Sequence, residues 1–588
     1  MGNPAYPEKP MFKKNHRHLQ IPLTSNVDEL PEKLRKRLEN SWAGTFYRDI
    51  YCRIDEAVFA VLYADCPSRP NVPVNVLVGL EFLKAGKGWT DEELYGHYCY
   101  DIQVRYAVGY RQLGEGDFEL RTLYYFRERL SEYMQKTGLN LVLQAFEKIT
   151  DEQLKAFSVK TNQQRMDSLQ LASNIRQMGR VQLLVEVLQR VERMLNESDR
   201  LRYAEAFAAY LKGHSGHYVY RMKGEEVAPH LERIGEFMQQ LLVELQAGYG
   251  KEIVYEILAR VFGEHFKMEE RKVKLKPNAE LTSSCMQSPD DMEATYREKR
   301  GVGYQGYVAN VTETCNPENE LQLITKIQVA ANNTDDDQLL AEALPNLKER
   351  TDLNEMTTDG GYGGSQSDPL LAKLGVRLVQ TAIRGRNPDP EKPHLADFDI
   401  QFGEDGKPRQ VTCPGGQAVS VSLPDNQKSY LARFELPQCQ ACPLFNKCLA
   451  QAGKQTDQRL RLRFTLAEAQ AAQRRRLYNE NKQQSGNLRA AVEATVRSLK
   501  LPFPEAQLPV RGKFRVTCML IGSAAVTNVR RIQRYLQARL QAEMRENAAQ
   551  NPQDRAKNTL APSFLAFARS LFTRLLNPEL VFRPHLTR

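Results

Sequence analysis

No uninterrupted apolar run of about 18 residues occurs anywhere in the 588-residue chain, which argues against a membrane-spanning helix. Residues 1–14 are polar and proline-rich and lack the apolar segment of a secretory leader. Both absences predict a soluble, unsecreted protein of the cytoplasm. Cysteine is sparse: ten residues fall far below the density of a disulfide scaffold, and four of the ten are clustered. Neither sign of charge dominates, since 81 Lys and Arg stand against 72 Asp and Glu for a formal net charge of +9. So mild an excess favours a polyanionic partner without proving one. Internal repeats are absent, and compositional bias is confined to a Gln/Ala-rich stretch at 465–474. The length suits roughly three or four domains of about 150 residues each.

What is present is helical patterning broken by short strand signals, so the chain reads as α/β (mixed). Residues 1–150 are mainly helical after a basic arm of Lys13, Lys14, His16, Arg17 and His18. Apolar spacing predicts a helix over 74–85 ended by Gly86, and Thr90 with Glu93 forms a capping box for a helix over 91–99. A further helix over 120–134 carries Arg121, Tyr124, Arg127 and Arg129, either a solvated face or one suited to lie on DNA. A short polar strand over 157–167 ends in Asp167. Helical spacing returns over 181–195, 201–211 and 230–245. Strands follow at 306–314 and 321–329, then a helix at 336–350, a strand at 354–358 leading into Asp359, a helix at 368–374 and a strand at 376–383. Three prolines within 387–393 mark a boundary. Beyond it lie the clustered cysteines, a helix over 465–481 with Arg474, Arg475 and Arg476, and helices over 487–500 and 516–540.

Asp167 and Asp359 close strands and Glu493 lies in a helix, so a fold could gather the three. Gathered carboxylates repel and call for cations, and hard oxygen ligands favour Mg²⁺ or Mn²⁺ over zinc. Singly, each has an ordinary reading: Asp359 before Gly360-Gly361 as a turn residue, Asp167 as a helix N-cap, Glu493 as a solvated helix position. Arg489, Glu493 and Lys500 fall on one face of their helix, as an ion-paired surface would, or as a metal ligand flanked by two phosphate-binding cations.

These motifs resemble those of the DDE transposases of bacterial insertion sequences. The likeness rests on Gln164-Arg165-Met166-Asp167-Ser168, on Thr358-Asp359-Gly360-Gly361-Tyr362, and on Arg489, Glu493 and Lys500 in the spacing of a Tyr-Arg-Glu-Lys signature. Arg511-Gly512 and Asn528-Val529-Arg530-Arg531 follow, while Lys299-Arg300-Gly301 and Gly303-Tyr304 precede the second acid. Gly486 stands where the signature has its tyrosine. The resemblance implies a ribonuclease-H-like core with two insertions, preceded by an all-α N-terminal domain. Its segments would be a DNA-binding domain over 1–150, a first core strand over 151–180, a helical insertion over 181–290, the second core segment over 291–386, a cysteine-containing insertion over 387–484, the Glu helix and end of the core over 485–545, and a tail over 546–588. It implies catalysis by Asp167, Asp359 and Glu493 with two Mg²⁺ or Mn²⁺ ions. DNA contacts are implied for Arg489, Lys500, Arg121, Arg127, Arg474, Arg475, Arg476, Arg530 and Arg531. It further implies cleavage at terminal inverted repeats, strand transfer into double-stranded target DNA, a homodimer on paired ends and association with the nucleoid. Two alternatives stay open: a catalytically decayed DNA-binding protein of the same fold, and a stand-alone metal-dependent nuclease.

Cys413, the Cys439-x₂-Cys442 pair and Cys448 offer four thiolates, the donor set of a structural Zn²⁺ knuckle, with His394 as a substitute ligand; unmetallated thiols are the plain alternative. Cys52, Cys66, Cys99, Cys285, Cys315 and Cys518 read as packing residues. His214 and His217 read as surface histidines, and the Gly301, Gly303 and Gly306 spacing precedes a strand, so it lacks the context of a dinucleotide loop.

Overall fold

A mixed six-stranded sheet organises the chain. The computed structural model describes residues 10–17, 25–64, 69–112, 114–220, 222, 227–299, 301–383, 389, 391–403, 405–424, 428–452, 459–481, 488–503 and 507–550, without the side chains of 481, 488–490 and 547–550. His18, Cys66, Arg300, Gly486, the Arg489 side chain, part of the 387–393 boundary and the tail from 551 therefore lie outside the described residues. Two compact units divide the chain, Met1–Val529 and Arg530–Arg588. Among the described residues no helix is long and apolar enough to cross a membrane.

The N-terminal helices are α1 (Glu32–Glu39), α2 (Trp42–Asp49), α3 (Val74–Lys87), α4 (Asp91–Tyr100), α5 (Ile102–Ala107), α6 (Leu120–Thr137) and α7 (Leu141–Ala156). The capping box holds as expected: Thr90 Oγ1 accepts from Glu93 N at 3.1 Å and Glu93 Oε2 from Thr90 N at 2.8 Å. Gly86 does not break α3, which runs on to a left-handed cap at Gly88. The glycine serves packing instead, because a Cβ there would lie 2.3 Å from the Val526 side chain. The apolar residues of these helices are continuous with Leu169, Leu171, Tyr307 and the segment from Leu520 to Val529, so they share a core with the sheet.

The first strand, β1 (Gln163–Ala172), begins later than expected, since α7 is capped at Phe157 and Ser158 turns with φ of 51°. Asp167 consequently lies in mid-strand. Periodicity could not reveal this strand because its polar residues are buried by partners elsewhere: fully buried Gln164 donates to Thr351 and accepts from Thr325. A helical insertion follows, comprising α8 (Arg180–Met194), α9 (Glu197–Arg202), α10 (Ala204–Phe207), α11 (Ser215–Tyr220), α12 (Val227–Tyr249) and α13 (Ile253–His265). It ends in a two-stranded ribbon, β2 (Phe266–Glu269) with β3 (Lys272–Leu275), and has a hydrophobic core of its own.

The sheet then resumes with β4 (Thr295–Lys299), β5 (Val302–Thr314), β6 (Ile324–Ala331), α14 (Asp336–Arg350), β7 (Glu355–Thr358), α15 (Asp368–Leu374) and β8 (Arg377–Gln380). Its order is β4-β5-β1-β7-β8, with β6 also paired to β5. The β5 strand is antiparallel to β1, β4 and β6, whereas β1, β7 and β8 run parallel. Successive side chains of a strand face opposite ways, so Leu169 and Leu171 join the N-terminal core while Met166 packs with Leu340 and Leu344 of α14 and Leu371 of α15. At Gly306, φ of 152° and a hypothetical Cβ only 2.2 Å from the Leu171 carbonyl oxygen leave room for glycine alone.

The second insertion is a sheet, unforeseen although Leu460, Leu462 and Phe464 alternate with arginines in its last strand. It comprises β9 (Asp399–Phe402), β10 (Pro408–Thr412), β11 (Ala418–Ser422), β12 (Ser429–Glu435), α16 (Leu436–Gln440), β13 (Gln451–Ala452), β14 (Arg459–Thr465) and α17 (Leu466–Asn481), with strand order β13-β14-β12-β11-β10-β9. Finally come α18 (Leu488–Lys500) and α19 (Lys513–Gln550). Within the second unit Arg539 Nη1 donates to the Tyr535 hydroxyl at 3.1 Å, one turn away.

Candidate active site

Parallel pairing of β1 with β7 sets Gln163 beside Glu355, Gln164 beside Met356 and Arg165 beside Thr357. Advancing both strands by two residues brings Asp167 level with Asp359, and the two line one small cleft together with Val492 of α18. Asp167 Oδ1 accepts from Ser168 N at 2.9 Å, and Asp359 Oδ1 from Gly361 N at 2.8 Å. Glu493 follows Val492 and is exposed. Its helix is tied to β1 through Glu313 of β5, which accepts from Arg165 Nε at 2.6 Å and lies 2.8 Å from Thr495 Oγ1.

A fourth carboxylate, Asp336 at the start of α14, escapes sequence reasoning. Three successive aspartates opening a helix read as complements to its dipole, and nothing local separates their roles. Asp337 is structural: it accepts from Gln366 N and Ser367 N, each at 3.0 Å, and from the Ser367 hydroxyl, fixing the loop that follows Asp359. Asp336 is 7% exposed, and its Oδ1 has no hydrogen-bond partner. Burial raises its pKa and the Asp359 charge raises it further, against a hydrogen bond from Ser168 and the cations Arg297 and Lys299. A Cβ on Gly361 would sit 2.7 Å from Asp336 Oδ2 and 3.0 Å from Asp359 Oδ1, so both carboxylates border one small space. Among the described residues, no three or more His, Cys, Asp or Glu side chains converge closely enough to hold a metal ion as they stand.

The expected cations are dispersed. Lys500 is partly buried, and burial together with the neighbouring Lys299 lowers its pKa. Arg127 Nε reaches Glu81 at 2.8 Å and Nη2 reaches Asp91 at 2.7 Å, so this guanidinium joins α6 to α3 and α4. Arg474 pairs with Asp368 and Arg476 with Asp399 and Glu480, which fastens α17 to α15 and β9. Arg475 borders a cavity shared with Gly360 and His394. Arg530 and Arg531 lie on α19 in the second unit. Arg121 stacks over Tyr125 and lines a wide groove in the N-terminal helices with Lys13, Lys14, Arg17, Arg69, Arg129 and Lys136; Asp117, Glu119, Glu128 and Glu132 are interspersed.

Cys413, Cys439, Cys442 and Cys448 do line one cavity, all as free thiols. A Cβ on Gly415 would lie 3.0 Å from Cys442 Sγ and 3.6 Å from Cys413 Sγ. Burial raises the Cys439 pKa, and the other three thiols add to the shift. His394 is not part of this group: it borders the cavity beside Gly360, and its Nδ1 lies 3.5 Å from Asp397.

Residues 412–533 match a family model described as a transposase DDE domain. The match supports a DDE transposase. It takes in the thiol quartet, Arg474 to Arg476 and the Glu493 helix, while Asp167 and Asp359 precede it. No curated protein and no solved structure matches the chain.

Proposed function

We propose that this chain is the transposase of a bacterial insertion sequence, cutting DNA at terminal inverted repeats and joining the ends to a target. The observation that carries the reading is the level placement of Asp167 and Asp359 on adjacent parallel strands, with the Glu493 helix packed across β1. The strand order β6-β5-β1-β7-β8, antiparallel over the first three and parallel over the last three, supports a ribonuclease-H-like core.

Asp167, Asp359 and Glu493 would supply hard oxygen ligands for Mg²⁺ or Mn²⁺, and the buried Asp336 carboxylate, whose Oδ2 borders the same small space as Asp359 Oδ1, fits a site that expects a cation. Such ions, when bound, activate the attacking oxygen and stabilise the leaving oxygen of a phosphodiester. The residues of the chain do the rest. Rigid strands hold the two aspartates at fixed spacing, the Arg165–Glu313–Thr495 link holds the glutamate helix, and Lys299 and Lys500 attract the phosphate backbone. The cationic side chains of the N-terminal groove bind duplex DNA through its phosphates, and Arg489, Arg530 and Arg531 are further phosphate-binding cations. The four thiols would supply the donors of a structural Zn²⁺, and two copies act on paired ends.

The test supplies the protein in trans to a marker flanked by the DNA that natively borders its gene. Wild type excises and joins the marker, whereas Asp167→Asn binds the ends but loses cleavage by roughly a hundredfold or more. Excision by Asp167→Asn at the wild-type level sinks the assignment. End binding without cleavage by either protein favours a decayed copy.

A further inference from the structure

We infer that Asp336 is a fourth ligand of the catalytic cation site, sharing a divalent cation with Asp359. The inference rests on the transposase reading above and adds a residue to its chemistry. Buried polar atoms in folded proteins are almost always partnered, because a buried group without a hydrogen bond loses its hydration and gains nothing in return. Asp337, one residue on, obeys that rule with three donors. Asp336 breaks it: Oδ1 is buried and unpartnered, and the like charge of Asp359 acts on the carboxylate. Ser168, Arg297 and Lys299 face the carboxylate and offset part of the cost, as does the N-terminal field of α14.

The space between the two acids is kept clear by Gly361, since any side chain there would begin within 3.0 Å of both carboxylates. Two carboxylates facing a cleared space repel unless a cation lies between them, and an all-oxygen donor set selects Mg²⁺ or Mn²⁺. Asp359, just past the end of β7, borders the Gly361 space with Asp336 and the small cleft with Asp167, so it joins the two.

Mn²⁺ titration of the full-length protein, followed by electron paramagnetic resonance, tests this without any cleavage assay. Asp336→Asn is expected to weaken Mn²⁺ binding by about tenfold or more. The same variant melts, without metal, no lower than wild type, because the substitution removes a buried charge that Asp359 repels. Gly361→Ala leaves every carboxylate in place but fills the space between two of them, and it too weakens binding. Unchanged Mn²⁺ affinity in Asp336→Asn, alongside its loss in Asp359→Asn, overturns the inference and leaves the transposase reading standing. A lower metal-free melting temperature with unchanged affinity makes Asp336 structural, which also overturns it. Absence of Mn²⁺ binding by wild type removes the metal-dependent reading itself.

Discussion

Arg165 and Glu313 form a buried ion pair at 2.6 Å, two residues along β1 from Asp167, and Thr495 lies against the same carboxylate two residues along α18 from Glu493. One carboxylate thus sets the spacing between the strand that bears the first acid and the helix that bears the third.

Glu313→Ala, which removes the buried carboxylate that Arg165 and Thr495 both meet, is expected to cost about 3–5 kcal/mol, and Thr495→Val about 1–2 kcal/mol. Urea denaturation measures both. Thr495→Val should also lower cleavage more than DNA binding, since it loosens the Glu493 helix and leaves the N-terminal groove untouched. Equal losses in both would show that the link serves folding alone.

Acid sensitivity should originate in the helical insertion. His265 is buried with both ring nitrogens unpartnered, and burial, then Arg180 and Lys276, push its pKa down to about 4. Unfolded, the ring titrates near 6.5, so between those values the unfolded chain binds the extra proton. The stability from a neutral His265 is complete above about pH 6.5 and is lost as pH falls toward 4, on the order of 3 kcal/mol in all. Over that range the melting temperature of wild type should fall relative to that of His265→Phe, which carries no titrating ring. Parallel curves would exclude this histidine.

Zinc binding is expected at about one ion per chain by elemental analysis, through the four gathered thiols. Cys442→Ser should lower that stoichiometry and the melting temperature of the protein, and chelation should do the same to wild type. A wild-type protein that carries no zinc and melts unchanged with chelator would leave four ordinary thiols.

Close packing of α3 on α19 predicts a penalty for one added methyl. Gly86→Ala places a carbon 2.3 Å from Val526 atoms and should cost about 1–3 kcal/mol by thermal unfolding. Adding Val526→Ala should recover part of that loss, because the two positions share one space. A neutral Gly86→Ala would mean the helices can shift apart freely.

Local signals in the sequence were enough for α14 and α15, for the capping box that opens α4, and for Asp359 just past a strand. Each depends on neighbours within a few residues: a helix start, a breaker, a Gly-Gly turn. Short motifs likewise singled out Asp167, Asp359 and Glu493, of which the fold brings Asp167 and Asp359 to one cleft. Tertiary structure decided what depends on distant partners. The limits of β1 follow from burying Gln164 against Thr325 and Thr351, and Arg127 is held by acids on two other helices. Asp336 and Asp337 are chemically identical neighbours in sequence. Only the return of the chain through β7, which carries Asp359 and Gly361 to the first and Ser367 to the second, gives one an unpartnered oxygen and the other three donors. The physical reason is that backbone preference acts over a few residues, whereas burial and charge act on whatever the fold brings near.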